Sequence, residues 1–232
     1  MKHSPWPLLG GVRFVLACIV VAEHLHWFLP HPAVELVRLF GPFAAVVGFL
    51  FISGYSIAAS YERAPRGFYR RRFRRIYPWY ALALGLSLVP FLISGRALLT
   101  FGGIQFPRPS PLTFAGNLIF LQGFAVSSVG GDTVVWSLAV EVACYVLAPL
   151  FWRFRWACLA ALPSFAFFVV ARGPLHLPHY AFMPYGLAFA ALLWAWLAGF
   201  VFYRYRAAPL AQIGLVLLAS CALTLNRTDA LR

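Results

Sequence analysis

The stretch LLGGVRFVLACIVVAEHLHWFL, residues 8–29, decides the fold class of this chain. It is long enough to cross a bilayer as a helix, because about 20 predominantly apolar residues span the hydrocarbon core. It contains Arg13 and Glu23 and has no small-residue cleavage site, unlike a secretory signal peptide. The stretch is therefore predicted to remain in the protein as a transmembrane helix.

The composition of the whole chain indicates the same environment. Of its 232 residues, 62% are hydrophobic and only 11% are charged, with a mean hydropathy of +0.79. A soluble globular domain is about 45–50% apolar and roughly 25% charged. This chain has too little polar surface to face water on all sides, which excludes a soluble globular domain.

Further apolar runs predict an all-α, polytopic transmembrane helix bundle of about seven spans. We interpret residues 1–232 as a single transmembrane domain, since no internal repeat or linker divides them. The remaining predicted spans are Phe40–Ser60, Ile76–Ser94, Val134–Trp152, Trp156–Ala171, Tyr185–Tyr203 and Pro209–Leu225.

One apolar segment, residues 112–129, is interrupted by polar residues and glycines, among them Asn117 and Gln122. It could cross the bilayer or form a re-entrant or interfacial segment. If it does not cross, 12 of the basic residues outside the spans lie inside and six outside; if it crosses, the split is 11 to seven. Cytoplasmic loops are enriched in Lys and Arg, so we favour the non-crossing topology with a cytoplasmic N-terminus.

The formal net charge is +13, and seven arginines lie between Arg63 and Arg75. Because the basic residues gather at the ends of apolar runs, they indicate membrane topology and contact with membrane lipids rather than nucleic-acid binding. The histidines and cysteines lack metal-ligand spacing, so no metal site is predicted.

Ionisable residues inside a span are the first candidates for function. Eleven residues at about 100° each place His24 within roughly 20° of Arg13 around the helix, about 16 Å along the axis. The alternative is a snorkelling arginine and an interfacial histidine, each common alone. Glu23 lies about 100° away from this stripe and is interpreted as an interhelical partner. His26 and His31 are expected at the interface.

Two more motifs carry polar chemistry. In RRRFRRIYP (70–78), Arg72 and Arg75 would share a helix face and could bind phosphate in a bidentate way. The alternative is a patch that only sets topology and touches anionic lipid. In the span that follows the ambiguous segment, Ser137, Glu141 and Tyr145 lie four residues apart on one face. Glu141 is equally consistent with a catalytic group and with a structural interhelical partner.

These motifs, in this order, resemble those of the acyltransferase-3 family of inner-membrane O-acyltransferases. The resemblance rests on four stretches: LGGVR with His24 (9–24), GFLFISGYSI (48–57), RFRRIYP (72–78), and WSLAVE with Tyr145 and Pro149 (136–149).

The resemblance implies transfer of an acyl group, commonly acetyl, from cytosolic acyl-CoA to a hydroxyl of a cell-envelope glycan, lipid-linked sugar or glycoside. No bound cofactor is implied, and the location would be the bacterial inner membrane. His24 would be the general base or, alternatively, a transient acyl carrier. Arg13 would steer the thioester or stabilise its oxygen, and Glu141 would orient His24 or pair with Arg13.

The resemblance also assigns the remaining site residues. The expected acyl-CoA-binding residues are Arg71, Arg72, Arg75 and Tyr77. The expected supporting residues are Ser53, Gly54, Trp136, Ser137 and Tyr145.

The chain departs from the family pattern in three ways. Gly10 and Gly11 stand where the family usually has an acidic residue before Arg13, and Val142, Ala143 and Cys144 replace the polar residues that often follow the glutamate. Seven spans are also fewer than the family's usual ten or so. We therefore expect a chain shortened at its C-terminus, which could be an inactive remnant. A lipid or glycan transporter is the alternative function, because it too could use intramembrane Arg, His and Glu.

Overall fold

The computed structural model describes residues 6–26, 29, 31–95, 97–99, 105–130, 135–172, 175, 177 and 182–206. The helices are α1 (Trp6–His26), α2 (Pro32–Arg38), α3 (Pro42–Arg63), α4 (Phe68–Ser94), α5 (Pro111–Leu118), α6 (Val135–Arg153), α7 (Ala161–Arg172) and α8 (Leu187–Tyr205). A 3-10 turn, Arg155–Ala160, precedes α7. Two short strands, β1 (Leu98–Leu99) and β2 (Gln105–Phe106), pair antiparallel between α4 and α5.

The all-α membrane fold is confirmed. Among the described residues, five helices, α1, α3, α4, α6 and α8, are long and apolar enough to cross a membrane, and each overlaps most of a span predicted from the sequence. The predicted span Trp156–Ala171 consists of the 3-10 turn and the 12-residue α7, which is shorter than a spanning helix needs to be. The predicted span Pro209–Leu225 lies outside the described residues, so the count of seven stays a prediction.

Helix α4 begins at Phe68, eight residues before the predicted membrane span Ile76–Ser94, which it contains. Apolar patterning marks only the lipid-facing part of a helix, whereas α4 starts within the arginine run at Phe68. Its 27 residues measure about 40 Å, against a hydrocarbon core of about 30 Å. A helix of this length therefore has room to carry its arginine-rich first turns beyond the hydrocarbon.

The described residues form two compact units. Unit 1 comprises the described residues within 6–56 and 195–206, and unit 2 comprises those within 57–194. Helices α3 and α8 contribute residues to both. The prediction of a single domain stays a prediction.

Within unit 1, α3 and α8 touch backbone to backbone at two glycines. A Cβ atom added at Gly54 would lie 1.9 Å from the carbonyl oxygen of Trp196, and one added at Gly199 would lie 1.9 Å from that of Phe51. Small residues allow transmembrane helices this close approach. Glycine at these positions fixes the crossing of the two helices.

Within unit 2, the ambiguous segment folds back on itself instead of forming one long helix. Helix α5 has eight residues, about 12 Å, and Phe120 then adopts a left-handed φ of 60° in the turn that ends it. The turn that follows is closed by a 2.9 Å hydrogen bond from the Gly123 amide to the Val126 carbonyl. This geometry agrees with a segment that does not cross the bilayer as a helix.

Candidate functional site

Arg13 and His24 lie on one unbroken helix, α1, so the helical spacing assumed from the sequence is present. Both residues are half-buried, while Phe14 and Val21, at intervening turns, are 71% and 61% exposed. The two polar residues thus lie on the protein-facing side of α1 and apolar residues occupy the outer side.

The guanidinium of Arg13 binds α3. Its Nη2 donates to the Ser56 hydroxyl at 2.8 Å and approaches the Ile52 carbonyl oxygen at 3.3 Å. Ser56 in turn donates to the Ile52 carbonyl at 2.7 Å. These contacts hold the guanidinium of Arg13 against α3 within unit 1.

The sequence did not predict Ser56 as a site residue. It lies within the GFLFISGYSI stretch, yet only Ser53 and Gly54 were named there. Ser53 is buried, and Gly54 serves the contact with α8. The available signal was the i, i+4 relation between Ile52 and Ser56, which lets the serine hydroxyl bond the preceding turn and still accept from a cation.

A polar clamp joins α1 to α2. Arg38 Nε donates to Glu23 Oε2 at 2.7 Å, and Arg38 Nη1 donates to Glu35 Oε2 at 2.8 Å. His26 Nδ1 pairs with the other oxygen of Glu35, and His31 caps α2 by accepting from the Ala33 amide at 3.2 Å. The interpretation of Glu23 as an interhelical partner is confirmed.

The clamp shifts the pKa values of the two α2 residues. Partial desolvation acts to raise the pKa of the Glu35 carboxyl, but hydrogen bonds from His26 and Arg38 together with their charges outweigh it, and the pKa falls below its usual value. The hydrogen bond to Glu23 raises the pKa of Arg38, against an opposing effect of desolvation. Both shifts favour the charged forms.

The side chains of the arginine run differ in their contacts and exposure. Arg71 donates to the carbonyls of Arg66, at 2.7 Å, and Ala64, so it closes the α3–α4 turn. The Arg72 guanidinium carbon lies 5.8 Å from the centre of the Phe68 ring, and Arg72 is half-buried whereas Arg75 is exposed. Arg71, one of the four residues expected to bind acyl-CoA, therefore bonds to the backbone of the turn between α3 and α4.

Tyr77, the fourth residue expected to bind acyl-CoA, stacks on Phe73 with ring centroids 4.5 Å apart and an interplanar angle of 17°. This aromatic pair lies in the turns of α4 that carry the arginines. Helix α4 starts after Gly67, which has a φ of 70° and provides no side-chain cap. Its first amide groups and the helix dipole add positive potential to that of the guanidinium groups.

On α6, the Tyr145 hydroxyl donates to Glu141 Oε1, as the spacing of four predicted. Trp136 is 6% exposed and Ser137 is half-buried. Glu141 is therefore hydrogen-bonded to Tyr145, and Arg13 is hydrogen-bonded to Ser56 of α3. The pairing of Glu141 with His24 or Arg13 stays a prediction.

A buried hydrogen-bond network supports the start of α6. The side-chain nitrogen of Gln122 donates to the Tyr80 hydroxyl and to the Val135 carbonyl, both at 3.1 Å. Tyr80 donates to the Asn117 carbonyl at 2.5 Å. Asn117 donates from its amide nitrogen to the Thr113 and Ser127 carbonyls, and both amide residues are 0% exposed.

This network ties the folded-back segment to α4 and positions the residue that precedes Trp136. In the sequence, Asn117 and Gln122 are recognisable only as interruptions of an apolar run. Among the described residues, no group of three or more His, Cys, Asp or Glu could hold a metal ion.

The sequence profile of the acyltransferase 3 family, described as an acyltransferase domain, matches residues 7–226. The chain belongs to the acyltransferase 3 family. Acyltransferase MdmB of Streptomyces mycarofaciens is 30% identical over 178 residues, which cover 68% of this chain and 44% of that protein. "Protein 2 in picA locus" of Rhizobium radiobacter is 31% identical over 102 residues, 40% of this chain and 50% of that protein.

The matched region of this acyltransferase 3 chain thus spans about half the length of these curated relatives. No solved structure matches it. Membership in the family confirms the resemblance that the four motifs carried in the sequence.

Proposed function

We propose that this chain is, or is part of, a membrane-bound O-acyltransferase that moves an acyl group, commonly acetyl, from cytosolic acyl-CoA to a hydroxyl of an envelope glycan, lipid-linked sugar or glycoside. The observation that carries the proposal is the anchoring of Arg13 by Ser56, 2.8 Å away, on the same helix as His24. A cation held in place within the membrane domain supplies fixed positive charge where an anionic transition state needs it.

In this mechanism His24 accepts the proton of the acceptor hydroxyl as the oxygen attacks the thioester carbonyl carbon. Imidazole suits this step because its unperturbed pKa lies near neutral pH. Arg13 stabilises the negative charge on the tetrahedral oxygen. When the carbon–sulfur bond breaks, the CoA thiolate leaves, and the proton held by His24 returns to it, which gives the ester and free CoA.

Glu141 would either orient His24 or pair with Arg13, the two roles that the resemblance to the family implies. Its hydrogen bond from Tyr145 fixes the carboxylate. A carboxylate that holds a histidine stabilises the imidazolium formed during proton transfer. Trp136, Ser137, Ser53 and Gly54 would support this arrangement through helix packing.

The donor would bind at the arginine-rich start of α4. Arg72 and Arg75, with Tyr77 and the helix N-terminus, combine guanidinium forks with a positive helix end, and both favour phosphate groups. Because Lys and Arg concentrate on the cytoplasmic side of membrane proteins, this end would face the cytosol. The N-terminus of α1 would then be cytoplasmic and the host membrane the bacterial inner membrane.

The test is transfer of a labelled acyl group in membranes. Inside-out vesicles containing this chain are given acetyl-CoA labelled in the acetyl group, and the lipid and glycan fractions are analysed for labelled ester. We expect ester formation that vesicles from the same host without the chain do not show. Movement of an unmodified glycan or lipid without ester formation would instead favour a transporter.

A further inference from the structure

Helix α1 carries both Arg13 and His24 but has little packing of its own. Of its 21 residues, Ile19 and Ala22 are buried. Buried side chains fix an element because they interdigitate with their neighbours, so a helix with two of them needs further contacts to fix its rotation. The bond from Arg13 to Ser56 is one such contact. His24 lies eleven residues later, about 16 Å along the axis, and its orientation therefore depends on contacts near the end of α1.

The clamp between α1 and α2 supplies contacts on both sides of His24 in the sequence. Arg38 of α2 donates from Nε to Glu23 at 2.7 Å and from Nη1 to Glu35 at 2.8 Å. Glu35 in turn pairs with His26. Helix α1 is thus held at the residue immediately before His24 and at the residue two positions after it.

The clamp holds α1 from a side that His24 does not occupy. At about 100° per residue, Glu23 and His26 lie within about 60° of each other around α1. His24 lies about 100° from Glu23, on the side that it shares with Arg13. Helix α2 can therefore fix the rotation of α1 without covering the face that carries the two proposed catalytic residues.

Helix α2 turns its ionisable side chains toward α1 and its apolar side chains outward. Leu36 and Leu39 are 63% and 81% exposed, whereas the side chains of Arg38 and Glu23 are 27% and 21% exposed. Salt screens a partly buried ion pair less than an exposed one. In membrane proteins, ionisable side chains that face the protein interior usually have a function. The pair between Arg38 and Glu23 is therefore suited to hold α1 in one orientation.

From these contacts we infer that Arg38 is a positioning residue, which holds the imidazole of His24 in place by fixing the last turn of α1. Arg38 acts directly through Glu23, and indirectly through Glu35 and His26. The inference rests on the proposed function, in which His24 accepts the proton of the acceptor hydroxyl. A displacement of about 1 Å can slow a reaction by about 100-fold, so a loosened last turn should slow the chemical step. Binding of acyl-CoA, proposed for the start of α4, should not depend on the clamp.

Kinetics in vesicles with labelled acetyl-CoA tests this role, with rates expressed per amount of membrane-inserted protein. Arg38→Gln should lower kcat for acyl transfer about tenfold, as expected for loss of hydrogen bonds between charged groups, and leave KM for acetyl-CoA unchanged. Arg38→Lys should recover only part of the loss, because an ammonium group lacks the fixed fork of donors that reaches two carboxylates. Arg153→Gln is the matched control, since Arg153 ends α6 as Arg38 ends α2, and it should transfer acyl groups as wild type does.

A double variant tests whether Arg38 acts through Glu23. Substitutions of two residues that share one contact have non-additive effects. The kcat of the variant with both Glu23→Gln and Arg38→Gln should therefore be no lower than that of Arg38→Gln alone. Losses that multiply in the double variant would overturn the inference, as would an unchanged kcat for Arg38→Gln in an active chain.

The orientation of His24 can also be observed without acyl transfer. Protein labelled with 15N-histidine is placed in liposomes and studied by magic-angle-spinning NMR, and the ring signals of His24 are those missing from His24→Ala. Wild type and Arg153→Gln should show one set of these signals. Arg38→Gln should lose that single set through splitting or broadening, because the imidazole would adopt several orientations. An unaltered set in Arg38→Gln would contradict the role of Arg38.

The two measurements separate failure of this inference from failure of the proposed function. His24 signals that depend on Arg38, in a wild-type chain that forms no ester from acetyl-CoA, would uphold the positioning of His24 and reject the proposed activity. Ester formation that is the same in wild type and Arg38→Gln, with unaltered His24 signals, would uphold the activity and reject the positioning role.

Discussion

The guanidinium of Arg13 donates a 2.8 Å hydrogen bond to the hydroxyl of Ser56, and this contact fixes a cation of α1 against α3. Ser56 also donates to the Ile52 carbonyl, so its hydroxyl is oriented before it accepts from arginine. The contact gives the proposed oxyanion-stabilising group a defined position, which a flexible arginine on a lipid-facing helix would lack.

Replacing Ser56 by alanine removes an acceptor of Arg13 without changing the helix backbone. Hydrogen bonds to charged groups contribute about 1.5–3 kcal/mol, so we expect kcat for acyl transfer to fall roughly tenfold while KM for the donor changes little. The assay is transfer of labelled acetyl in vesicles. Ser60→Ala, one turn further along α3, is the matched control. Equal rates of acyl transfer in the two variants would show that Ser56 has no role in the reaction.

Replacing His24 by alanine should abolish acyl transfer while the chain still inserts into membranes, because the acceptor hydroxyl would lose its base. Ester formation and the membrane-bound amount of protein are measured in the same preparation. His31→Asn is the control, since asparagine retains the capping function that His31 has at α2. A fully active His24→Ala variant would remove His24 from the proposed chemistry.

The sequence predicted the five long helices well because each needs only a continuous apolar run, and lipid imposes helix formation on such runs. It also predicted that Arg13 and His24 share a face of α1 and that Glu141 and Tyr145 are neighbours on α6, since both follow from helical geometry alone. It did not predict the contact of Arg13 with Ser56, because that contact depends on how two helices pack.

The folded-back segment shows the same limit. Asn117 and Gln122 were visible as polar residues in an apolar run, but their side-chain partners were not. Those of Gln122 are Tyr80 on α4 and the Val135 carbonyl at the start of α6, whereas those of Asn117 lie within the folded-back segment itself. Periodicity describes one element at a time. A buried side-chain amide requires a hydrogen-bond partner, but only the tertiary structure shows which group provides it.

The arginine run separates into two roles that kinetics can distinguish. Replacing both Arg72 and Arg75 by alanine should chiefly raise the KM for acetyl-CoA, because the CoA phosphates would lose their guanidinium partners. Replacing Arg71 by alanine should instead lower the thermal stability of the solubilised protein, since Arg71 holds the carbonyls of the α3–α4 turn.

Initial rates over a range of acetyl-CoA concentrations and thermal unfolding in detergent measure these effects for each variant. Arg155→Ala, outside the run, should change neither quantity. An unchanged KM for acetyl-CoA in the double variant would show that the arginine run sets membrane topology and does not bind the donor.

Replacing the buried Asn117 by leucine keeps a similar volume but removes three hydrogen bonds: two that its amide nitrogen donates and one that its side-chain oxygen accepts from the Val129 amide at 3.3 Å. Leaving buried polar groups unpaired costs about 1–3 kcal/mol each, so we expect a clear drop in the midpoint of thermal unfolding. Ser87→Ala, which removes only a local bond to the Leu84 carbonyl, should have a much smaller effect. Similar midpoints in the two variants would show that the network contributes little.

The clamp between α1 and α2 should respond to acid through Glu35. Because folding lowers the pKa of Glu35, the carboxylate contributes stability that is fully present above its unfolded pKa, about 4.3, and is lost as pH falls through the lower folded value. Arg38 has a raised pKa and stays charged at acidic pH, so it does not change the pH range over which the contribution of Glu35 is lost. Wild type should therefore unfold at a higher temperature than Glu35→Gln at pH 7, and the difference should begin to shrink as pH falls below about 4. Glu62→Gln, on α3, is the matched carboxylate control; a difference between wild type and Glu35→Gln that does not shrink as the solution is acidified would show that the charge of Glu35 does not stabilise the clamp.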